Sequence, residues 1–350
     1  METRKVYVSG GSTYIVSLPK KWVIKNKIKA GDSLVVTRQS SSLMIEPGVI
    51  NADIEAVKIN TSDVPTPESL ERLIIAYYLG GYDTIKIKLD SMTPEYKDSA
   101  RRVLDFLIGI EIVEDLGDTV TLEILLDHRK MRTPLALRRI YLIVKSMIKD
   151  SIKVMESGDG YISSDIERLA RDIISREREV DRFYFLILRQ LKSAVQYQQI
   201  AEKLGIKNQR DTLGYRIVVK SLERIADHVE NVMNSYLDLI DEKKEAPDLE
   251  EFICVTELVL KIYNSSMESL FNRDKIRAEK VFRSLSSINT QHQELSNKFF
   301  LEGINIPDTM HKKSILDSIR RIADYSSDIA EIALNMAVEV PTIQTNREKK

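Results

Sequence analysis

The sequence predicts a multidomain chain in three regimes: a small all-β head, a small α/β connector, and an all-α body of tandem three-helix bundles. Three observations carry this reading. Val6 to Leu18 alternates about a Gly10-Gly11-Ser12 turn, and from Thr133 onward apolar residues recur at i, i+3 and i+4. The string Leu222-Glu223-Arg224-Ile225-Ala226-Asp227-His228 returns, altered, as Ile319-Arg320-Arg321-Ile322-Ala323-Asp324-Tyr325. Its two Arg-Ile-Ala-Asp segments begin 97 residues apart, the mark of a repeated helical unit.

With 350 residues, 43% of them hydrophobic, the chain can bury real cores. Its net charge of −1 hides an asymmetry, because residues 1–48 carry eight basic and three acidic side chains. A basic head on an acidic body points to an anionic partner for the head alone. The single cysteine, Cys254, excludes an intramolecular disulfide framework and a cysteine-based zinc site. There is no apolar run of the roughly 18–20 residues that crosses a bilayer, and Met1–Lys5 leads into a strand pattern and not a signal peptide. The expectation is a cytoplasmic protein.

In the head, residues 1–48, the first hairpin is followed by Pro19 at the start of a short helix bearing Lys20, Lys21, Trp22, Ile24 and Lys25. An Ala30-Gly31-Asp32 turn then opens a second hairpin, Leu34-Val35-Val36 returning through Leu43-Met44-Ile45. So short a module has too small a core to stand alone, which predicts dimerisation. The connector, residues 49–130, reads as helix over Ser69–Leu79, strand over Asp83–Leu89, helix over Pro94–Ile108 and strands over Ile110–Val113 and Val120–Leu125, with Ile54–Ile59 as a first strand. It contains no glycine-rich phosphate loop, nucleophile elbow or metal triplet.

The first bundle, residues 131–245, begins at the cap and first position Thr133-Pro134. Its helices run to Gly158-Asp159-Gly160, from Ser163 or Ser164 towards Leu204-Gly205, and from about Asn208 to Ile240. The second, residues 246–340, has Leu249–Phe271, Lys275–Phe300 and Pro307–Val338, and a disordered tail is predicted for residues 341–350.

Two carboxylate pairs stand at i, i+4: Glu177 with Asp181 on the second helix, and Glu223 with Asp227 on the third. If antiparallel neighbours turn these pairs towards each other, four carboxylates converge. A cation would relieve their repulsion, and with oxygen donors alone it would be a hard one: iron, manganese or magnesium, with zinc possible. The plain alternative is a solvated acidic face, with Glu177 paired to Arg178 or Arg182 and Glu223 to Arg224. A ferritin-like metalloenzyme is disfavoured, since neither glutamate has a histidine three residues on.

The head residues Arg4-Lys5-Val6, Gly10 to Trp22 and Ala30-Gly31-Asp32 resemble the AbrB/MazE (SpoVT-type) swapped-hairpin DNA-binding domain. That likeness implies two chains interleaving hairpins, DNA as partner, and Arg4, Lys5, Lys20 and Lys21 as DNA-facing residues. The sequence departs from the family with Lys27 at a glycine position and with Val23 and Ile24 in place of arginines.

The repeated bundles, above all Glu223-Arg224-Ile225-Ala226-Asp227-His228-Val229-Glu230-Asn231, resemble PhoU-type phosphate-uptake regulators, and a head of this kind ahead of them looks like the archaeal version. The likeness implies a homodimeric, non-enzymatic, phosphate-responsive regulator with a metal ion or cluster in the first bundle. It would act on DNA, or alternatively as an adaptor on a phosphate transporter ATPase or a sensor. The motif Glu177, Asp181, Glu223, Asp227 is kept only in the first repeat. In the second, Asn289 and Gln293 replace the first pair, and Arg320 replaces the glutamate ahead of Asp324, predicting one metal site at most. An arginine at that position would repel a metal, or pair with Asp324 in its place.

Overall fold

The computed structural model describes residues 2–39, 42–47, 56–90, 94–125, 131–156, 164–196, 198–243, 249–301 and 306–338. The expected glycine stop at residues 158–160 and the expected tail lie outside them. The chain divides into two compact units, one built on the head and one running Ala56–Glu339.

In the head, β1 (Val6–Ser9) and β2 (Thr13–Val16) pair antiparallel, α1 spans Lys20–Lys25, and β3 (Leu34–Gln39) pairs with β4 (Ser42–Pro47). Gly10 and Gly11 take positive φ to close the first turn. Every residue of β1 and β2 is exposed, including Val6, Tyr7, Val8, Tyr14, Ile15 and Val16. An isolated two-stranded hairpin is marginal in water. These strands therefore lack most of the burial that would hold them.

The second unit opens with an α/β layer. Strands β5 (Val57–Asn60), β6 (Thr84–Lys88), β7 (Ile110–Asp115) and β8 (Thr119–Ile124) form one sheet in the order β5-β6-β8-β7. β5 and β6 run parallel across α2 (Pro67–Gly80), while β8 is antiparallel to both its neighbours. Thr66 caps α2 through the Ser69 amide, and Gly81 ends it in the left-handed region. Together α2 and α3 (Pro94–Phe106) cover one sheet face through Leu70, Ile74, Tyr78, Ala100 and Val103. The first strand described is Val57–Asn60, and residues 54–55 of the expected strand lie outside the described residues.

Among the described residues seven helical segments follow: α4 (Thr133–Glu156), α5 (Ser164–Gln196), α6 (Gln198–Lys203), α7 (Asp211–Lys243), α8 (Glu250–Asn272), α9 (Lys275–Leu301) and α10 (Ile306–Met336). The expected second helix is thus described in two segments, α5 and α6. The two trios share one core, because α7 packs along α10 and α4 along α8. At that seam the repeat-equivalent residues His228 and Tyr325 stack, ring centroids 5.8 Å apart. No helix among the described residues is long and apolar enough to cross a membrane.

One buried arginine ties the α/β layer to the helices. Arg189 of α5 is 1% exposed. Its guanidinium donates to the carbonyls of Tyr78, Gly81 and Tyr82 at the end of α2 and to Asp83 Oδ1. Three carbonyls where α2 ends and one carboxylate match the two terminal nitrogens of this buried cation, while its Nε is buried without a hydrogen-bond partner among the described residues. Connector and bundles consequently form one unit.

Candidate functional site

Helices α5 and α7 pack side by side, and their acidic faces meet. Glu177 feels the charges of Asp181, Glu230 and Asp227, while Asp181 feels that of Glu223. The low-numbered end of one helix thus faces the high-numbered end of the other, an antiparallel pair that brings Glu177, Asp181, Glu223 and Asp227 into one electrostatic cluster. A fifth carboxylate, Glu230, joins them. The spacing Glu223, Asp227, Glu230 is i, i+4, i+7, one face of α7, so the signal for Glu230 was present in the sequence.

Three of these carboxyls, Glu177, Asp181 and Asp227, resist ionisation. Partial burial, then the charge of Asp181, pushes Glu177 up to about 8. Burial, then Glu223 and Asp181, raises Asp227 to about 6, and burial with Glu223 raises Asp181. One cation is built in: Lys220 Nζ donates to Glu223 Oε1 at 2.5 Å. Lys220 also lies over the Tyr184 ring, 5.3 Å from its centroid. The other oxygen, Glu223 Oε2, is buried and has no hydrogen-bond partner in the structure. The partner anticipated for Glu223 is therefore corrected from Arg224 to Lys220, one turn back on the same face. Arg224 instead lies over the Tyr325 ring, across the seam.

An array of this kind can take up protons or a cation. Its donors are all carboxylate oxygens, and one buried oxygen is left over. Among the described residues no three carboxylate, histidine or cysteine side chains are gathered closely enough to enclose a metal ion. His228 turns away from the cluster onto Tyr325, and burial together with Arg321 and Arg224 pushes its pKa down.

Among the described residues the second repeat does not rebuild this four-carboxylate motif, and Asp324 has Asp328 as its acidic neighbour on α10. Asn289 and Gln293 are exposed. Asp324 accepts from Arg321 Nη1 at 3.2 Å, so the arginine that neutralises it is Arg321 and not Arg320. Arg321 faces Asp324 one turn on, at i+3, which the replacement of a glutamate by Arg320 had obscured.

In the head, Lys5, Lys20 and Lys21 are exposed, the two latter in the first turn of α1. Arg4 is ion-paired to Glu2 at 2.5 Å.

A family model described as "PhoU domain" matches residues 137–235 and 255–333. One described as "Antidote-toxin recognition MazE, bacterial antitoxin" matches residues 7–53. No curated protein matches the chain. Among solved structures, PhoU from Pseudomonas aeruginosa is similar at 15% identity, covering 58% of this chain and 94% of that one, with a TM-score of 0.48. The phosphate transport system regulatory protein PhoU from Streptococcus pneumoniae is similar at 16% identity, covering 59% and 96%, with a TM-score of 0.48.

Proposed function

The chain belongs to the PhoU family, its two PhoU domains preceded by a MazE-type domain, and from that premise we propose a homodimeric regulator of phosphate uptake whose head binds DNA and whose first bundle senses a cation or phosphate-linked state. The observation that carries this reading is the joining in one chain of a basic, self-insufficient head to a bundle in which burial and neighbouring charges raise Glu177, Asp181 and Asp227. The exposed apolar residues of β1 and β2 call for a second chain, and a swapped hairpin dimer supplies one. Lys5, Lys20 and Lys21 then offer exposed ammonium groups to a phosphate backbone.

In this reading Glu177, Asp181, Glu223 and Asp227 hold a hard cation, with Glu230 beside them. The donor chemistry fits, and the orphan Glu223 oxygen is available to it. Enclosing an ion requires side-chain rotation within the cluster, while Lys220 holds the other Glu223 oxygen. A bound cation would supply positive charge at the α5/α7 face, and no catalytic step is assigned to it.

A second reading is favoured by the pairing of Arg4 with Glu2, which spends one of the four DNA-facing cations. There the head only dimerises, and the bundles act as an adaptor on a transporter ATPase or a sensor. Salt dependence separates the two. DNA affinity should fall steeply between about 50 and 200 mM salt, and Lys20→Ala with Lys21→Ala should flatten the log–log slope by roughly two units per pair of lysines. An unchanged slope, or no DNA binding by the intact chain, would favour the adaptor.

A further inference from the structure

Among the described residues the α/β layer has helices on one face of its sheet only, and the other face is sorted by charge. Registers fix which side chains share it. Lys58 stands opposite Lys86, Lys86 opposite Thr121, and Thr121 opposite Glu114. One row along, Thr84, Glu123 and Glu111 are opposed, and in the other direction Asn60, Lys88 and Thr119. The β5–β6 half therefore carries Lys58, Lys86 and Lys88, and the β8–β7 half carries Glu123, Glu111 and Glu114.

Two of these cross-strand pairs, Lys58 with Lys86 and Glu111 with Glu123, set like charges directly opposite, an arrangement that disfavours a sheet standing alone. On the helix-covered side charges are matched: Lys97 and Arg101 meet Asp115, and Arg102 meets Glu71. On the open face, among the described residues, Lys58, Lys86, Lys88, Glu111 and Glu123 enter no ion pair, and Glu114 accepts only from Thr121. Lys58, Lys86, Lys88, Glu111 and Glu114 are exposed.

A face that is half basic and half acidic is its own complement under one particular two-fold axis. With the axis along the strands, β5 of one copy lies over β7 of the other and β6 over β8, and rows are preserved. Lys58 then meets the second copy's Glu114 directly, Lys86 lies over Thr121 and Thr84 over Glu123, so that Glu111 and Glu123 each stand one row from a lysine of the other copy. An in-plane axis across the strands would instead set lysines on lysines. We propose that the open sheet face of the α/β layer is an isologous docking surface for a second copy of this chain, aligned with β5 over β7. This goes beyond the head dimer, on which only the local concentration of the second copy depends.

The test is cross-linking of the full chain in a C254S background. Within one chain Lys58 and Glu114 are three strand spacings apart, about 14 Å, and an intrachain link would not alter mass on a denaturing gel. K58C/E114C treated with a short bis-maleimide should give a covalent dimer, whereas K58C alone and E114C alone should give at least tenfold less. Adding E111K/E123K should lower the yield of the double-cysteine variant by tenfold or more, since like charges then face each other. Light scattering on the same samples reports the head dimer separately. A dimeric chain without the K58C/E114C link, or one in which K58C alone links equally well, overturns the proposed docking. A monomer without the link overturns the head dimer as well, and a link in an otherwise monomeric chain leaves the docking standing without the head.

Discussion

Lys27 closes α1 with φ at 54°, in the left-handed region. A side chain there costs about 1–2 kcal/mol against the right-handed alternative, and glycine escapes most of that cost. Lys27→Gly is therefore expected to stabilise the head by about 0.5–1 kcal/mol, net of glycine's larger unfolding entropy. Trp22, the chain's one tryptophan, lies in α1, so fluorescence melts report this unit alone. Arg273 has the same backbone, φ 52°, at the end of α8, and the opposite outcome is expected. Its guanidinium donates to the Met336 carbonyl and to Asp211 Oδ2, fastening the ends of α10 and α7. Arg273→Gly should lose about 1–3 kcal/mol, because Asp211, 7% exposed, is left without that partner. A stabilised R273G would show that backbone relief outweighs the two contacts.

At the scale of elements, the apolar period made the helices legible, while packing against other elements set the details. The α4, α7, α8, α9 and α10 segments follow the 3.6-residue pattern because each turns one stripe into the shared core. Glu177 with Asp181 and Glu223 with Asp227 were readable as i,i+4 pairs. Their antiparallel meeting, the entry of Glu230 and the capture of Glu223 by Lys220 depend on how α5 lies on α7. Arg189 was equally invisible, being an ordinary cation in sequence and a buried bolt in the fold. Gly214 shows the same dependence: a Cβ there would stand 2.6 Å from Met336 Sδ and 3.0 Å from Ile332 Cγ2 of α10. An alanine can be met by a shift of the flexible methionine. Gly214→Leu cannot, and should cost about 1–3 kcal/mol by driving α10 from α7, despite leucine's better helix propensity. Denaturant unfolding measures this, and an unchanged midpoint would mean the α7–α10 contact is looser than drawn.

At the scale of the whole molecule, the α5/α7 cluster contributes least stability where its carboxyls are ionised. Glu177 rises from an ordinary 4.5 to about 8, and Asp227 from 3.8 to about 6, so the folded chain holds these protons more tightly than the unfolded one. Where the native state binds more protons, stability falls as pH rises. The stabilisation is complete below about pH 4, where both states are protonated, and is lost between roughly pH 4 and 8. Glu177→Gln with Asp227→Asn should flatten that fall and raise the melting temperature most near pH 8. A hard divalent cation added at about pH 7.5 should raise the melting temperature of the native chain and not of this double variant, since it replaces the missing protons with fixed charge. Identical pH slopes for the two proteins would place the titrating groups elsewhere. Equal cation responses would remove the α5/α7 face as the sensing site while leaving the head's DNA contacts to be judged on their own salt dependence.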